Sequence, residues 1–144
     1  MTAKVHRDFA SDLAAITEVM EATNGRVYPL TIDAEEPLPS MSFTIRDGIP
    51  VTFYVDSFGL TSYDILVDIW SRSYQTNQEI ADAIVSRYNG RNLQIGPVDN
   101  PTTVQRAIID NVLNSIDSDD AGVYRTLIEH TPCLLYTSPS PRDS

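Results

Sequence analysis

The stretch that most constrains this chain runs from Thr61 to Gly90. From Tyr63 to Trp70 the side chains alternate. Tyr63, Ile65, Val67 and Ile69 point one way, and Asp64, Leu66, Asp68 and Trp70 the other. Period-two alternation rich in β-branched and aromatic residues predicts a half-buried strand over TSYDILVDIWSRS. One face belongs on a core. The other mixes two carboxylates with Leu66 and Trp70, so it is neither fully solvated nor fully buried. A helix follows. Thr76-Asn77-Gln78-Glu79 fits a capping box, in which the Thr hydroxyl accepts from the N–H three residues on and the Glu reaches back. Ile80, Ala83, Ile84, Arg87 and Tyr88 then recur at helical spacing and give one apolar stripe. Asn89-Gly90 ends the helix, because glycine takes the left-handed conformation a C-terminal cap needs. Arg87 and Arg91 lie where the helix dipole favours positive charge.

Around this unit, residues 6–22 read as one amphipathic helix, with Phe9, Leu13, Ile16 and Met20 on its apolar side and Asn24-Gly25 as its stop. Arg26 to Leu30 is an extended piece with Val27 turned towards the core. Thr31 to Ser40 is an acidic, proline-broken loop, and Met41 to Ile45 alternates as a strand. Asp47-Gly48 is a turn signal, and Pro50 argues against an uninterrupted central strand. Residues 47–60 therefore read as a hairpin-like excursion carrying Phe53, Tyr54 and Phe58. Arg91 to Thr103 is a connector. Val104 to Asp117 is a long strand with Ala107, Ile109, Asn111 and Leu113 on one face. Residues 118–122 form a turn, and Gly122 to His130 is a strand with Tyr124, Thr126, Ile128 and His130 on one face. The expected class is α+β: a mostly antiparallel sheet of about four strands with two helices packed on one face.

A chain of 144 residues suits a single domain with one core. No apolar run reaches the ~18 residues a membrane-spanning helix needs, and MTAKVHRDFASDL lacks the apolar centre of a signal peptide. The cytoplasm of the cell that makes it is the expected location. Twenty acids against ten bases give a net charge of −10. That balance argues against a grip on nucleic acid phosphates, which needs a basic stripe. It leaves two readings open: a surface that keeps the chain soluble, or the wall of a channel that DNA must pass without sticking.

The last twelve residues, CLLYTSPSPRDS, hold two of the nine prolines and the single cysteine. The string resembles the translated read-through of a transposase mosaic-end adapter used in DNA library preparation. The expectation is one domain over residues 1–132 and an adapter-derived tail over 133–144, with a Pro/Ser-rich disordered tail as the alternative. On either reading Cys133 carries no redox or catalytic role.

The search for chemistry yields little. His6 and His130 are the two histidines, and no HExxH, paired-cysteine, phosphate-loop or GxSxG pattern occurs. Asp64 and Asp68 share a strand face but stand roughly 13 Å apart at the strand rise per residue, too far for a carboxylate dyad. Asp117, Asp119 and Asp120 lack the spacing of an EF-hand and read first as turn formers, with a weak divalent-cation site as the alternative. Trp70 reads as a core or interface anchor. A base-stacking platform would want flanking positive charge, and Arg72 is the one basic neighbour. No catalytic, metal or cofactor residue is assigned. The candidate contact residues are Phe53, Tyr54, Asp56, Phe58, Trp70, Tyr124 and Arg125.

Several segments then occur in order: Arg26-Val27-Tyr28-Pro29, Leu38-Pro39 ahead of a strand, a strand ending Asp68-Ile69-Trp70-Ser71, a helix carrying Asn77-Gln78-Glu79-Ile80-Ala81-Asp82-Ala83-Ile84, and Gly122-Val123-Tyr124-Arg125. This ordered set resembles the tail-terminator, or tail-completion, family of tailed bacteriophages over about residues 6–131. The resemblance implies a sheet flanked by helices and a homo-oligomeric ring, usually a hexamer. It implies a place in the virion, at the head-proximal end of the tail tube, after assembly in the host cytoplasm. There the ring would stop tube polymerisation and present the surface that joins the head. The implied partners are the major tail tube protein and a head–tail connector or stopper, with DNA sliding through the lumen unbound and no membrane or cofactor involved. Another neck component of similar size, or a small enzyme of unknown substrate, are the alternatives.

Overall fold

The computed structural model describes residues 2–30, 37–51, 59–116 and 122–136. Two helices, α1 (Thr2–Ala15) and α2 (Thr17–Thr23), lead into β1 (Val27–Pro29), β2 (Ser40–Val51) and β3 (Gly59–Ser71). Helix α3 (Tyr74–Tyr88) follows, then β4 (Leu93–Ile95), β5 (Thr102–Ile116) and β6 (Tyr124–Tyr136). The six strands form one sheet in the order β1-β2-β3-β6-β5-β4. Among the described residues the β1·β2 pairing alone is parallel, so the sheet is mixed. The class is α+β as expected, but the described residues form six strands and three helices where the sequence predicts about four and two.

The alternation of β3 is realised as read. Tyr63, Ile65, Val67 and Ile69 are buried against the helices, while Asp64, Leu66, Asp68 and Trp70 are half-buried on the far side. The helical layer contributes Val5, Phe9, Leu13, Val19, Ile80, Ala81, Ile84 and Tyr88 to a single core with Met41, Phe43, Val104, Ala107, Ile128 and Leu134. Phe9, Ile69, Ile84 and Tyr88 are fully enclosed. Truncating such a side chain to alanine costs about 3–5 kcal/mol, from lost transfer energy plus the cavity left behind.

Several local expectations give way to tertiary structure. The helix expected over 6–22 is two, because Ile16 takes extended backbone at φ −62° and ψ 128°. The break resets the helical phase: Val19 and Thr23 turn inward and Met20, placed on the apolar side by a single register, is 45% exposed. Asn24 then closes α2 at φ 54°, its N–H donating to Met20 O. The cap of α3 is Ser73, whose Oγ accepts from Thr76 N at 3.2 Å, so Thr76 is not the capping residue. The Asp47-Gly48 pair does not make a turn. Strand β2 runs through it, with the register against β3 shifting between Arg46 and Ile49, which marks a bulge. Pro50 is tolerated there because, among the described residues, no strand lies on the outer side of β2 beyond Phe43.

The long strand β5 also departs from simple alternation. Its pairing with β6 is irregular between Val104 and Arg106 and again between Ile109 and Asn111. Each extra residue inverts the faces that follow. Val104, Ala107, Ile109 and Val112 therefore pack on the core, and Leu113, expected beside Ala107, is 49% exposed. The connector over 91–103 contains β4, a short edge strand whose Ile95 is buried. Strand β6 continues through Cys133 to Tyr136, so those four residues of the expected tail lie in the sheet, with Leu134 buried.

Candidate functional site

Among the described residues no helix covers one face of the sheet, and three of the seven sequence-assigned contact residues lie at one end of it or beside it. Phe53, Tyr54, Asp56 and Phe58 lie outside the described residues, as do Asp117, Asp119 and Asp120. Trp70 pairs with Arg125 and Ser71 with Tyr124 across the β3·β6 ladder. Directly opposed residues share a face, so Trp70 and Arg125 sit together on the open side. Arg125 Nε donates to Asp68 Oδ1 at 2.7 Å while its guanidinium lies 5.1 Å from the centre of the Trp70 ring. The carboxylate fixes the plane of the guanidinium and the indole face takes its charge, a cation–π arrangement. Trp70 Nε1 is buried with no hydrogen-bond acceptor among the described residues. Tyr124 belongs to the other face, edge-on to Tyr74 with ring centres 5.9 Å apart at the start of α3. The structure thus brings Trp70 and Arg125 into one cluster and sets Tyr124 on the far side of the sheet from them.

The open face continues along β3, β6 and β5. Register places Asp64, Leu66, Asp68, Leu127, Glu129 and Thr131 on it, with Ile108 and Leu113 beyond. Arg46 reaches Asp64 at 3.4 Å, and Thr131 Oγ1 donates to the carboxylate of Asp110. Apolar side chains and paired charges alternate, as on protein–protein contact surfaces.

The fixed polar contacts lie elsewhere, between layers, and the sequence did not announce them. Asn77, which the sequence shows only as an inner residue of the Thr76–Glu79 capping-box string, is fully buried. Its Nδ2 donates to Ile69 O at 3.3 Å and Tyr124 O at 3.1 Å, and its Oδ1 accepts from Ser71 Oγ at 2.6 Å. One amide therefore clasps α3 to the ends of β3 and β6 under the Trp70–Arg125 cluster. Asp12 receives both Arg87, at 2.7 and 3.0 Å, and the Tyr88 hydroxyl at 2.5 Å, tying α1 to α3. Burial, and then the adjacent Asp12 charge, hold the Tyr88 hydroxyl well above its ordinary pKa. The hydrogen bond to Asp12 raises Arg87 further. Asp8, 2% exposed, is paired with Lys4 at 2.6 Å and accepts from Thr102 Oγ1. That network pins α1 to the start of β5.

His130 is a core residue. It is 3% exposed, its ring centre 4.8 Å from that of Tyr88 and 6.1 Å from that of Phe9. Desolvation lowers its pKa to about 4, opposed only by the Asp110 charge. Neutral and walled in by rings, it is placed for packing. A shallow groove of about 620 Å³ runs between α2 and α3, lined by Glu18, Glu79, Asp82, Ala83, Ser86 and Arg87. It is open, acidic and without a nucleophile–base pair. Among the described residues no group of three or more His, Cys, Asp or Glu is arranged to hold a metal ion, and no helix is long and apolar enough to cross a membrane.

No protein-family model matches the chain, and no curated protein sequence matches it. Solved structures do share its fold. A chain in the virion of a native gene transfer agent (GTA) particle superposes with a TM-score of 0.56 at 13% identity, over 94% of this chain and 95% of that one. A second solved structure superposes with a TM-score of 0.57 at 12% identity, over 96% of this chain and 95% of its own. At such identities the likeness is one of fold, and it extends over nearly the whole of each chain.

Proposed function

We propose that this chain is a structural component of a tailed-phage-type particle, and within that class a tail terminator. In this reading copies of the chain close into a ring on the head-proximal end of the tail tube, end its growth and offer the surface to which the head joins. The observation that carries the reading is the end-to-end fold match to a chain of a gene transfer agent virion. It agrees with the ordered motifs from Arg26-Val27-Tyr28-Pro29 to Gly122-Val123-Tyr124-Arg125. The open sheet face supports a role in contact: Trp70 and Arg125 are held in place by Asp68 from beside and by Asn77 from beneath.

The described charges suggest which layer would face DNA. On the open face Asp64, Asp68, Asp110 and Glu129 are offset by Arg46, Arg106 and Arg125. The exposed surface of α2 and α3 carries Glu18, Glu21, Glu79 and Asp82 against one base, Arg87, which is itself paired with Asp12. An acid-rich wall repels the phosphate backbone and lets it slide, so in this reading the helical layer lines the lumen.

The test is tube length. A tube protein encoded beside this chain is polymerised with and without it and imaged by electron microscopy. Termination predicts short tubes carrying density at one end. Tubes of unchanged length with bare ends would refute it.

A further inference from the structure

Strand β5 is the part of the sheet whose edge is left without protection. Its first residues are covered: β4 pairs with Thr102 to Val104, Gly90 N donates to Ala107 O at 2.7 Å, and Ile109 N donates to Asn89 Oδ1 at 3.0 Å. Beyond that, among the described residues, no strand or loop lies beside residues 110–116; Asp110 is the extra residue of the irregularity between Ile109 and Asn111, and Asn111 to Ile116 pair with β6 on the inner side. Sheet edges are normally blunted by proline, lysine, a bulge or a covering segment. The opposite edge of this sheet follows that rule, since β2 carries a bulge after Arg46 and then Pro50; β5 also has an irregularity, at Asp110, but from Asn111 to Ile116 its register is unbroken. The run Asp110-Asn111-Val112-Leu113-Asn114-Ser115-Ile116 has no proline, no lysine and one charge. Leu113 is 49% exposed and Ile116 60% exposed.

We infer that residues 110–116 of β5 form a strand-addition surface for a second copy of the same chain, paired antiparallel on itself about Leu113. The sequence of the segment is what selects this occupant. Set against its own copy with Leu113 on the two-fold axis, Val112 faces Asn114, Asn111 faces Ser115 and Asp110 faces Ile116. No charge meets a like charge, in a chain whose net charge of −10 otherwise favours separation. The two Leu113 side chains meet each other on the open face, and each edge supplies the N–H and C=O groups the other lacks. A two-fold contact of this kind joins two copies and stops. It therefore goes beyond the proposed ring, which needs a separate head-to-tail contact. A seven-residue edge makes a small interface, with a dissociation constant roughly micromolar or weaker.

The experiment is analytical ultracentrifugation of the full chain, with Leu113→Lys as the disrupting variant, and cysteine cross-linking in a Cys133→Ser background. Because Leu113 is half exposed, the lysine variant keeps the monomer fold, which circular dichroism checks. The expected results are concentration-dependent pairing of the wild type and a dissociation constant raised roughly tenfold or more by Leu113→Lys. Leu113→Cys, on the axis, should form a disulfide-linked pair faster than Ser115→Cys, whose counterpart across the pair is Asn111. Equal cross-linking at the two positions overturns the inference. So does pairing that Leu113→Lys leaves unchanged, or a wild type that stays monomeric at high micromolar concentration. A ring that forms with Leu113→Lys would leave the terminator reading intact while pairing fails, so the two proposals fail separately.

Discussion

His130 gives the sharpest test of the packing described above. The ring is enclosed against Tyr88 and Phe9, and its Nε2 has no hydrogen-bond partner among the described residues. Desolvation lowers its pKa from 6.5 to about 4. The unfolded chain therefore takes up the proton first as pH falls. Stability is complete above pH 6.5, declines between 6.5 and 4, and reaches its full loss below about 4. At ~1.4 kcal/mol per pKa unit the full loss is about 3 kcal/mol, and the part incurred by pH 5 is about 2 kcal/mol. Other groups also titrate in this range, so the quantity to measure is a double difference. Urea unfolding of the wild type and of His130→Leu is compared at pH 7.5 and pH 5. The leucine variant should lose about 2 kcal/mol less than the wild type over that interval. Equal losses would mean that the imidazole is solvated in the folded state, and the enclosed position would be wrong.

Three further substitutions probe the contacts between layers. Asn77→Ala removes two donors and an acceptor from the junction of α3, β3 and β6 and should cost about 2–4 kcal/mol in urea unfolding, with Asn77→Asp failing to restore the two donated bonds. Gly96→Ala places a Cβ 2.6 Å from the Asp8 carboxylate at a φ of +89°, so it should destabilise by about 1–3 kcal/mol; a neutral thermal-melt result would show that the Lys4–Asp8–Thr102 network yields freely. Asp12→Ala leaves the buried Tyr88 hydroxyl without its acceptor and should cost about 1–3 kcal/mol. In the wild type, absorbance titration should find Tyr88 still protonated above pH 10, where stability begins to fall because the same hydroxyl ionises in the unfolded chain.

The long periodic stretches were legible because their patterns are dense and few alternatives fit them. The faces of β3 and β6 and the existence of α3 follow from alternation and stripe alone. What could not be read were places where one residue changes the phase of all that follow. Ile16 splits a helix, and the irregularities at Arg46–Ile49 and Ile109–Asn111 carry strands past points where simple alternation fails. A bulge leaves little trace in composition, so simple alternation puts Leu113 on the wrong side and Asp47-Gly48 reads as a turn. Asn77 shows a second limit. A polar residue in the first turn of a helix ordinarily meets solvent, and only the ends of β3 and β6 passing beneath make it a buried clasp. At the contact surface, sequence singled out Trp70 and Arg125 by residue type. Their joint geometry with Asp68 needed the β3·β6 register.

The central claim is that copies of this chain act together as a ring. Negative-stain imaging of the purified protein, with its mass measured in the same buffer, addresses that directly. The account predicts particles with a central hole and a mass that is a whole multiple of the 16.0 kDa chain, six-fold for the family it resembles. A preparation that remains single compact subunits at high concentration, with and without the tube protein, would contradict it.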